Sequence, residues 1–141
     1  MRFWDTSAII SLLVDEPGRQ RLLEYFEQDA EILAWWGTPV EIASAIARRE
    51  REQLISAEQA ETLLASAHLL AESWQEIVPS AAVRRAAERL LRVHALRASD
   101  SLQLAAALVA SDHDPGTLEI VCLDARLASA ARREGFKVLA L

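Results

Sequence analysis

The chain has 141 residues, of which 52% are hydrophobic and 26% are charged. This length suits one domain, predicted over residues 1–141, and this composition excludes a disordered chain. Cys122 is the only cysteine, which predicts a reducing compartment and excludes an internal disulfide or a paired-cysteine zinc site. Acidic Asp5 precedes any apolar run, and no uncharged stretch approaches the ~18 residues of a membrane span. We therefore expect a cytoplasmic protein without a membrane segment.

The net charge of −6 argues against a nucleic-acid partner unless part of the acidic charge is neutralised locally. All the basic residues but Lys137 are arginine, the better bidentate partner for phosphate or carboxylate. The charge pattern is thus compatible with an anionic partner without establishing one.

Short β-branched or aromatic runs alternate with helical patterns along the chain. The runs predict strands at residues 2–4, 32–36, 76–78, 120–123 and 136–139. Helices are predicted directly after Asp5 and at residues 17–28, 38–52, 56–74, 80–95, 99–111 and 125–134. Strands separated by helices predict an α/β fold with a mostly parallel sheet.

Helix-end signals support these boundaries. Thr38 and Ser56 each resemble an N-cap, with Glu41 and Gln59 three residues later completing two capping boxes. Gly135 after an arginine pair predicts the end of the last helix.

Several well-known catalytic patterns are absent from the sequence. It contains no Walker A loop, no G-x-G-x-x-G, no H-E-x-x-H and no G-x-S-x-G motif. The three histidines, His68, His94 and His113, are far apart and are expected on the surface or in helix packing. Cys122 lies in an apolar strand, where a free cysteine is usually a small hydrophobic residue.

Carboxylates remain as the candidate functional groups. Asp5 and Asp124 end the first and fourth predicted strands, and Glu41 opens the helix after the second strand. In a parallel sheet with helical crossovers these positions meet at the carboxyl edge, where such folds bind ligands. Asp100 lies between two predicted helices, so the topology does not place it.

Each carboxylate also has an interpretation as a helix cap or first-turn acid. Capping explains the set less well, because Ser7, Thr38 and Ser99 offer hydroxyl caps at three of these helices. Clustered carboxylates would repel one another unless a cation neutralised them, and Mg²⁺ and Mn²⁺ prefer oxygen ligands. The pattern therefore leaves two hypotheses open, helix capping and a metal site.

Four segments, in this order and at this spacing, carry a resemblance to a known family. They are FWDTSA at 3–8, VEIASA at 40–45 followed by Arg48, LRASDSLQLAAA at 96–107, and CLD at 122–124 continuing into the last helix and strand. The chain resembles PIN-domain nucleases, specifically the VapC-like toxins of prokaryotic toxin–antitoxin pairs, over essentially its whole length.

The resemblance implies an α/β, PIN-like three-layer domain with a central, mostly parallel sheet of about five strands flanked by helices. It also implies a metal-dependent endoribonuclease whose acidic quartet holds Mg²⁺ or Mn²⁺, the ion activating water for attack on an RNA phosphodiester. The quartet would be Asp5, Glu41, Asp100 and Asp124, with Asp5 and Asp100 as primary ligands. Thr6 or Ser7 would steady the site by hydrogen bonding. Cys122 departs from the Thr or Ser that the family often has there, which puts a supporting role for it in doubt.

The implied partners are an RNA substrate, a cognate antitoxin that places an arginine near the acidic cluster, and a second copy of the chain. Arg97 is the best single candidate for RNA contact, ahead of the arginine clusters at 48–51, 84–92 and 132–133. An apolar set could form part of a dimer face or equally an internal core; its members are Leu63, Leu69, Leu70 and Trp74.

Two alternative hypotheses belong to other classes of function. One is a non-catalytic PIN-like protein or RNA interaction module that keeps its acids as helix caps. The other is a phosphorylated receiver-type domain, which requires a second acid beside the first strand; Asp5 has none there.

Overall fold

Five short strands form one sheet in the order β3-β2-β1-β4-β5, and every neighbouring pair is parallel. The computed structural model describes residues 1–141 and confirms the predicted α/β fold, with all five strands parallel. The strands are β1 (Arg2–Trp4), β2 (Ile32–Trp35), β3 (Gln75–Ile77), β4 (Glu119–Val121) and β5 (Lys137–Leu139).

Seven α-helices and one 3-10 turn connect the strands. They are α1 (Thr6–Leu13), α2 (Arg19–Gln28), α3 (Thr38–Arg51), α4 (Ala57–Ala71), α5 (Ala81–Val93), α6 (Ala98–Ala110), the turn Pro115–Thr117, and α7 (Ala125–Arg133). None of these helices combines the length and apolar character needed to cross a bilayer.

Residue alternation in the strands separates two cores, one on each face of the sheet. Successive strand residues point to opposite faces, so Phe3 and Ile120 join one core while Trp4 and Val121 join the other. The Phe3 side is covered by α5, α6 and α7, and the Trp4 side by α1 to α4. The result is three layers: the sheet, with β1 as its central strand, lies between two layers of helices.

Some of the predicted helix ends are confirmed. The Ser56 hydroxyl accepts from the Gln59 amide at 3.1 Å while the Gln59 side chain accepts from the Ser56 amide at 2.8 Å, which completes a capping box. Gly135 follows α7 with a φ of +103°, a left-handed conformation that glycine adopts without strain.

The predicted cap at Thr38 is wrong. Gly37 precedes α3 without any side-chain cap, and Thr38 is the first residue of the helix. Thr38 is fully buried, and its hydroxyl accepts a hydrogen bond from Gln103 at 3.1 Å, so the interior uses it.

The apolar set on α4 and just after it is mostly internal. Trp74 is buried in the core on the Trp4 side, and Leu63 and Leu70 pack partly against the same core. Only Leu69 is exposed. The core interpretation of these residues therefore explains three of the four.

Adjacent leucines on α5 test the division between core and surface. Leu90 is fully buried and Leu91 is 43% exposed. We predict that Leu90→Ala lowers the free energy of unfolding by about 2–5 kcal/mol, because it removes buried methyl groups and leaves a cavity. Leu91→Ala should change it by less than about 0.5 kcal/mol. Urea titrations of both variants check this, and equal effects would contradict the assignment of the α5 face.

Candidate active site

A cleft of about 370 Å³ opens at the carboxyl edge of the sheet, and all four predicted carboxylates line it. Asp5 directly follows β1, Asp124 follows β4, and Glu41 lies in the first turn of α3 after β2. Parallel topology thus brings these three together. The first turn of α6 adds Asp100, which the topology could not place. The other lining residues are Thr6, Ser7, Ile10, Ser44, Ala45, Arg48 and Ser99.

Asp5 is the most deeply buried of the four, with 4% of its surface exposed. Its Oδ2 accepts hydrogen bonds from the backbone amide of Ser7 at 3.0 Å and from the Ser7 hydroxyl. Its Oδ1 has no hydrogen-bond partner. Burial raises the pKa of Asp5, the hydrogen bonds from Ser7 lower it in part, and the charge of Asp124 raises it further.

Ser7 joins the ends of two strands. Its hydroxyl donates to Asp5, and the same oxygen accepts from the backbone amides of Leu123 at 3.0 Å and Asp124 at 3.2 Å. Ser7 therefore holds the acid that follows β1 and the acid that follows β4 in one arrangement.

Cys122 lies beneath the cleft, where its Sγ is 3.7 Å from Asp5 Oδ2 and 3.5 Å from the Asp124 carbonyl oxygen. Burial raises the pKa of the thiol well above its ordinary value, so it stays protonated and donates weakly. The thiol thus reaches the buried Asp5 carboxylate only as a weak sulfur donor.

Glu41 does not form the capping box expected with Thr38. Its Oε2 instead accepts from the Thr6 hydroxyl at 2.9 Å and the Gln103 amide at 3.3 Å, while its Oε1 has no partner. Burial raises the pKa of Glu41; the two hydrogen bonds lower it, and the charges of Asp5 and Asp100 raise it.

Gln103 is a site residue that the sequence-based reasoning did not identify. It is 1% exposed, and its Nε2 donates to Thr6 at 2.8 Å as well as to Thr38 and Glu41. It joins α6 in one layer to α3 and α1 in the other. The available signal was a single amide among the apolar residues of α6, a polar group that must find partners when buried.

Asp100 and Asp124 cap helices. Asp100 Oδ2 accepts from the Arg97 amide at 3.1 Å, and Asp124 Oδ1 accepts from the Leu127 amide at 2.8 Å. Asp5 similarly caps α1. The expectation that nearby hydroxyls cap these helices is therefore wrong: Ser7 links two strands, Thr38 is paired with Gln103, and Ser99 lies inside α6.

Hydrogen bonds within the protein occupy only one oxygen of each of the four carboxylates. Asp100 Oδ1 and Asp124 Oδ2, like Asp5 Oδ1 and Glu41 Oε1, have no hydrogen-bond partner in the protein. As the side chains stand, no group of three His, Cys, Asp or Glu residues is arranged to hold a metal ion. The donor set nevertheless fits a hard divalent cation, because the four acids that line this one cleft each keep an oxygen without a protein partner, and burial together with their charges raises the pKa values of Asp5 and Glu41.

One arginine lines this acidic cleft and a second is close in sequence to one of its acids. Arg48 on α3 lines it directly. Arg97, the RNA-contact candidate, is exposed beside Asp100 but does not line the cleft.

The raised pKa values predict how stability depends on pH in the metal-free protein. The folded state disfavours the ionised form of Asp5, which lowers the free energy of unfolding. This loss is absent below the ordinary pKa of 3.8 and develops as the pH rises from there through the raised pKa of the folded state. We predict that Asp5→Asn raises the melting temperature by a few degrees at pH 7, because the amide oxygen still accepts from Ser7 while the charge is gone. The gain should disappear below about pH 4.

Thermal unfolding of both proteins at several pH values, in chelator, measures this gain. Asp15→Asn is the matched control, since Asp15 is exposed and outside the acidic cleft. A lower melting temperature for Asp5→Asn at pH 7 would instead make Asp5 a net stabilising cap.

Comparisons with known proteins place the fold. No family model matches the sequence, and no curated protein matches it closely. The chain is similar to one in FitAcB from Neisseria gonorrhoeae, with a TM-score of 0.68 and 16% identity, covering 99% of this chain and 96% of that one. It is similar to one in FitAB bound to an IR36 DNA fragment, with a TM-score of 0.67 and 16% identity, covering 99% and 94%.

A third similar structure is VapBC2 from Rickettsia felis bound to a DNA fragment from their promoter. Its TM-score is 0.67 at 12% identity, covering 99% of this chain and 98% of that chain. At such identities the likeness concerns the fold, over nearly the full length on both sides. The chain therefore has the PIN-like α/β fold of these neighbours, the fold that its four sequence segments implied.

Proposed function

We propose that the protein is a metal-dependent endoribonuclease that hydrolyses RNA phosphodiester bonds and acts as the toxin of a toxin–antitoxin pair in the cytoplasm. The observation that carries the proposal is the acidic cleft: four carboxylates, each with one oxygen held by the protein and the other free. The PIN-like fold supports the nuclease class.

The chain's own residues have distinct parts in this proposal. Asp5 and Asp100 would hold the ion, with Glu41 and Asp124 contributing directly or through water. When bound, Mg²⁺ or Mn²⁺ supplies Lewis-acid stabilisation of the phosphodiester and the leaving oxygen and lowers the pKa of a water. Thr6 and Ser7 fix the orientation of Glu41 and Asp5 by the hydrogen bonds described above.

Arg48 and Arg97 supply positive charge near the acidic cleft. An RNA phosphate entering an acidic cleft needs cations around it. Arg48 lines the cleft, and Arg97 lies at its margin without a carboxylate partner. We propose that both contact phosphates of the RNA next to the one that is cut.

An antitoxin partner follows from the same chemistry. The similar structures are named for paired proteins, FitAB and VapBC2. We propose that a cognate antitoxin inhibits the enzyme by placing a cationic side chain among the free carboxylate oxygens, where a charge-assisted hydrogen bond is strong. Pairing of two copies of the chain also belongs to this proposal, and analytical ultracentrifugation measures it.

Calorimetric titration with Mn²⁺ tests the metal site without knowledge of the substrate. We predict binding to the wild type and at least tenfold weaker binding to Asp5→Asn, because the substitution removes a buried ligand and its charge. Asp15→Asn should bind as the wild type does. Equal affinities in the wild type and Asp5→Asn, with both folded, would contradict the assignment of Asp5 as a ligand.

RNA cleavage tests the enzymatic part. We predict Mn²⁺-dependent cleavage of unstructured RNA that chelator abolishes and that Asp100→Asn lowers at least 100-fold, because an ion ligand is lost while the amide oxygen still caps α6. Asp114→Asn, exposed and outside the cleft, is the control. Metal binding without cleavage of any RNA would favour the alternative function, a non-catalytic PIN-like interaction module.

A further inference from the structure

A second cleft lies at the same edge of the sheet, on the far side of α6. Its volume is about 370 Å³, and no acidic residue lines it. Of the four tryptophans, Trp36 alone is exposed, at 53%, and it lines this cleft together with buried Trp35. The remaining lining residues are Pro79, Ser80, Ala81, Val83, Arg84 and Leu102.

The aromatic wall is held in place by the backbone. Trp36 directly follows β2, and its amide donates to the Ile77 carbonyl at 3.1 Å, which ties it to the end of β3. Its ring meets that of Trp35 edge to face at 6.4 Å and 70°. A Cβ at Gly37 would lie 2.5 Å from Trp35 Nε1, so a glycine there lets the chain turn closely past the indole. Trp36 is therefore an exposed ring on a rigid support.

Arg84 gives the cleft a free positive charge. It lines the cleft from the first turn of α5 and forms no ion pair or side-chain hydrogen bond within the protein. The neighbouring Ser80 hydroxyl oxygen accepts from the Val83 amide at 3.2 Å to cap the helix, and its O–H has no acceptor within the protein. An exposed indole beside an unpaired guanidinium suits a ligand with a flat ring and a negative charge.

The two clefts are related through α6. Asp100 lines the acidic cleft and Leu102, two residues later, lines the second cleft. Residues two apart point to nearly opposite sides of a helix whose diameter is about 10 Å. At about 3.4 Å per nucleotide along a stacked strand, roughly three nucleotides span that distance.

We propose that the second cleft binds a nucleobase of single-stranded RNA, stacked on Trp36, with a backbone phosphate of the same strand on Arg84. This inference rests on the proposed ribonuclease function and adds a substrate-binding site a few nucleotides from the cut. Aromatic faces and arginine are the groups that bind unpaired bases irrespective of sequence.

Charge favours RNA over a second copy of the chain as the occupant. Exposed Val40 and Val78 extend the apolar surface near Trp36, and an apolar surface of this kind could also serve as a contact between two proteins. A two-fold contact centred on this cleft, however, would bring Arg84 near its own copy, with no acid in the cleft to neutralise the two charges.

Fluorescence anisotropy with a labelled, unstructured 12-nucleotide RNA in chelator tests the site by binding alone. Trp36→Ala should weaken binding about tenfold, the usual loss for one base stack. Trp36→Phe should retain most of the affinity, whereas Trp36→Leu should resemble Trp36→Ala, because leucine keeps apolar bulk without an aromatic face. Leu69→Ala, another exposed hydrophobic residue away from both clefts, should bind normally.

The salt dependence isolates the phosphate contact. Arg84→Gln should lower the slope of log K against log salt concentration by about 0.7, the value for one phosphate on a single strand. Arg85→Gln is the matched control, since Arg85 is the next residue on α5, is exposed, and does not line the cleft.

Two results would overturn the inference: no RNA binding by the wild type, or unchanged RNA binding by Trp36→Ala. If Trp36→Ala also weakens self-association while its RNA affinity is unchanged, the face is assigned to a second copy. A Mn²⁺ titration of the same proteins separates this failure from failure of the proposed function. Intact Mn²⁺ binding and RNA cleavage would support the proposed ribonuclease function without this second site. Their absence from the wild type would contradict the ribonuclease function itself.

Discussion

The burial of one carboxylate at the end of the central strand governs the arrangement of this molecule. β1 is covered on both faces, so the residue that follows it, Asp5, enters the first helix while still inside the protein. An ionised group there loses most of its hydration, and its hydrogen bonds come mainly from Ser7. The fold therefore bears an electrostatic cost at the cleft, and the two apolar cores on either side of the sheet must offset it.

Capping and the proposed metal binding involve the same carboxylates without conflict. Each acid at a helix start uses one oxygen to satisfy a backbone amide, which fixes the side chain, and its other oxygen has no hydrogen-bond partner in the protein. Glu41 achieves the same through Thr6 and Gln103 rather than through its own helix. Interactions that would explain the acids as purely structural are thus also the ones that orient them.

The sequence predicted most of the architecture because its signals are local. Alternating residues such as Phe3 and Trp4 belong to opposite cores, and the strand–helix alternation allows three of the acids to meet at one edge. Asp100 and Gln103 could not be placed in this way, since α6 reaches the cleft through packing between layers, which no short window of sequence encodes. The cap at Thr38 failed for a related reason: tertiary burial gave its hydroxyl another partner.

The Ser7 hydroxyl couples the state of the cleft to the integrity of the sheet. It accepts hydrogen bonds from the backbone amides of Leu123 and Asp124 while it donates one to Asp5. A change of charge at Asp5 therefore alters the strength of the hydrogen bonds that link the ends of β1 and β4. Those two amides should therefore exchange their hydrogens with solvent at rates set by whatever occupies the cleft. Opening of the chain at the end of β4 would in turn release Asp5 from its orientation, which makes local unfolding there equivalent to loss of the site.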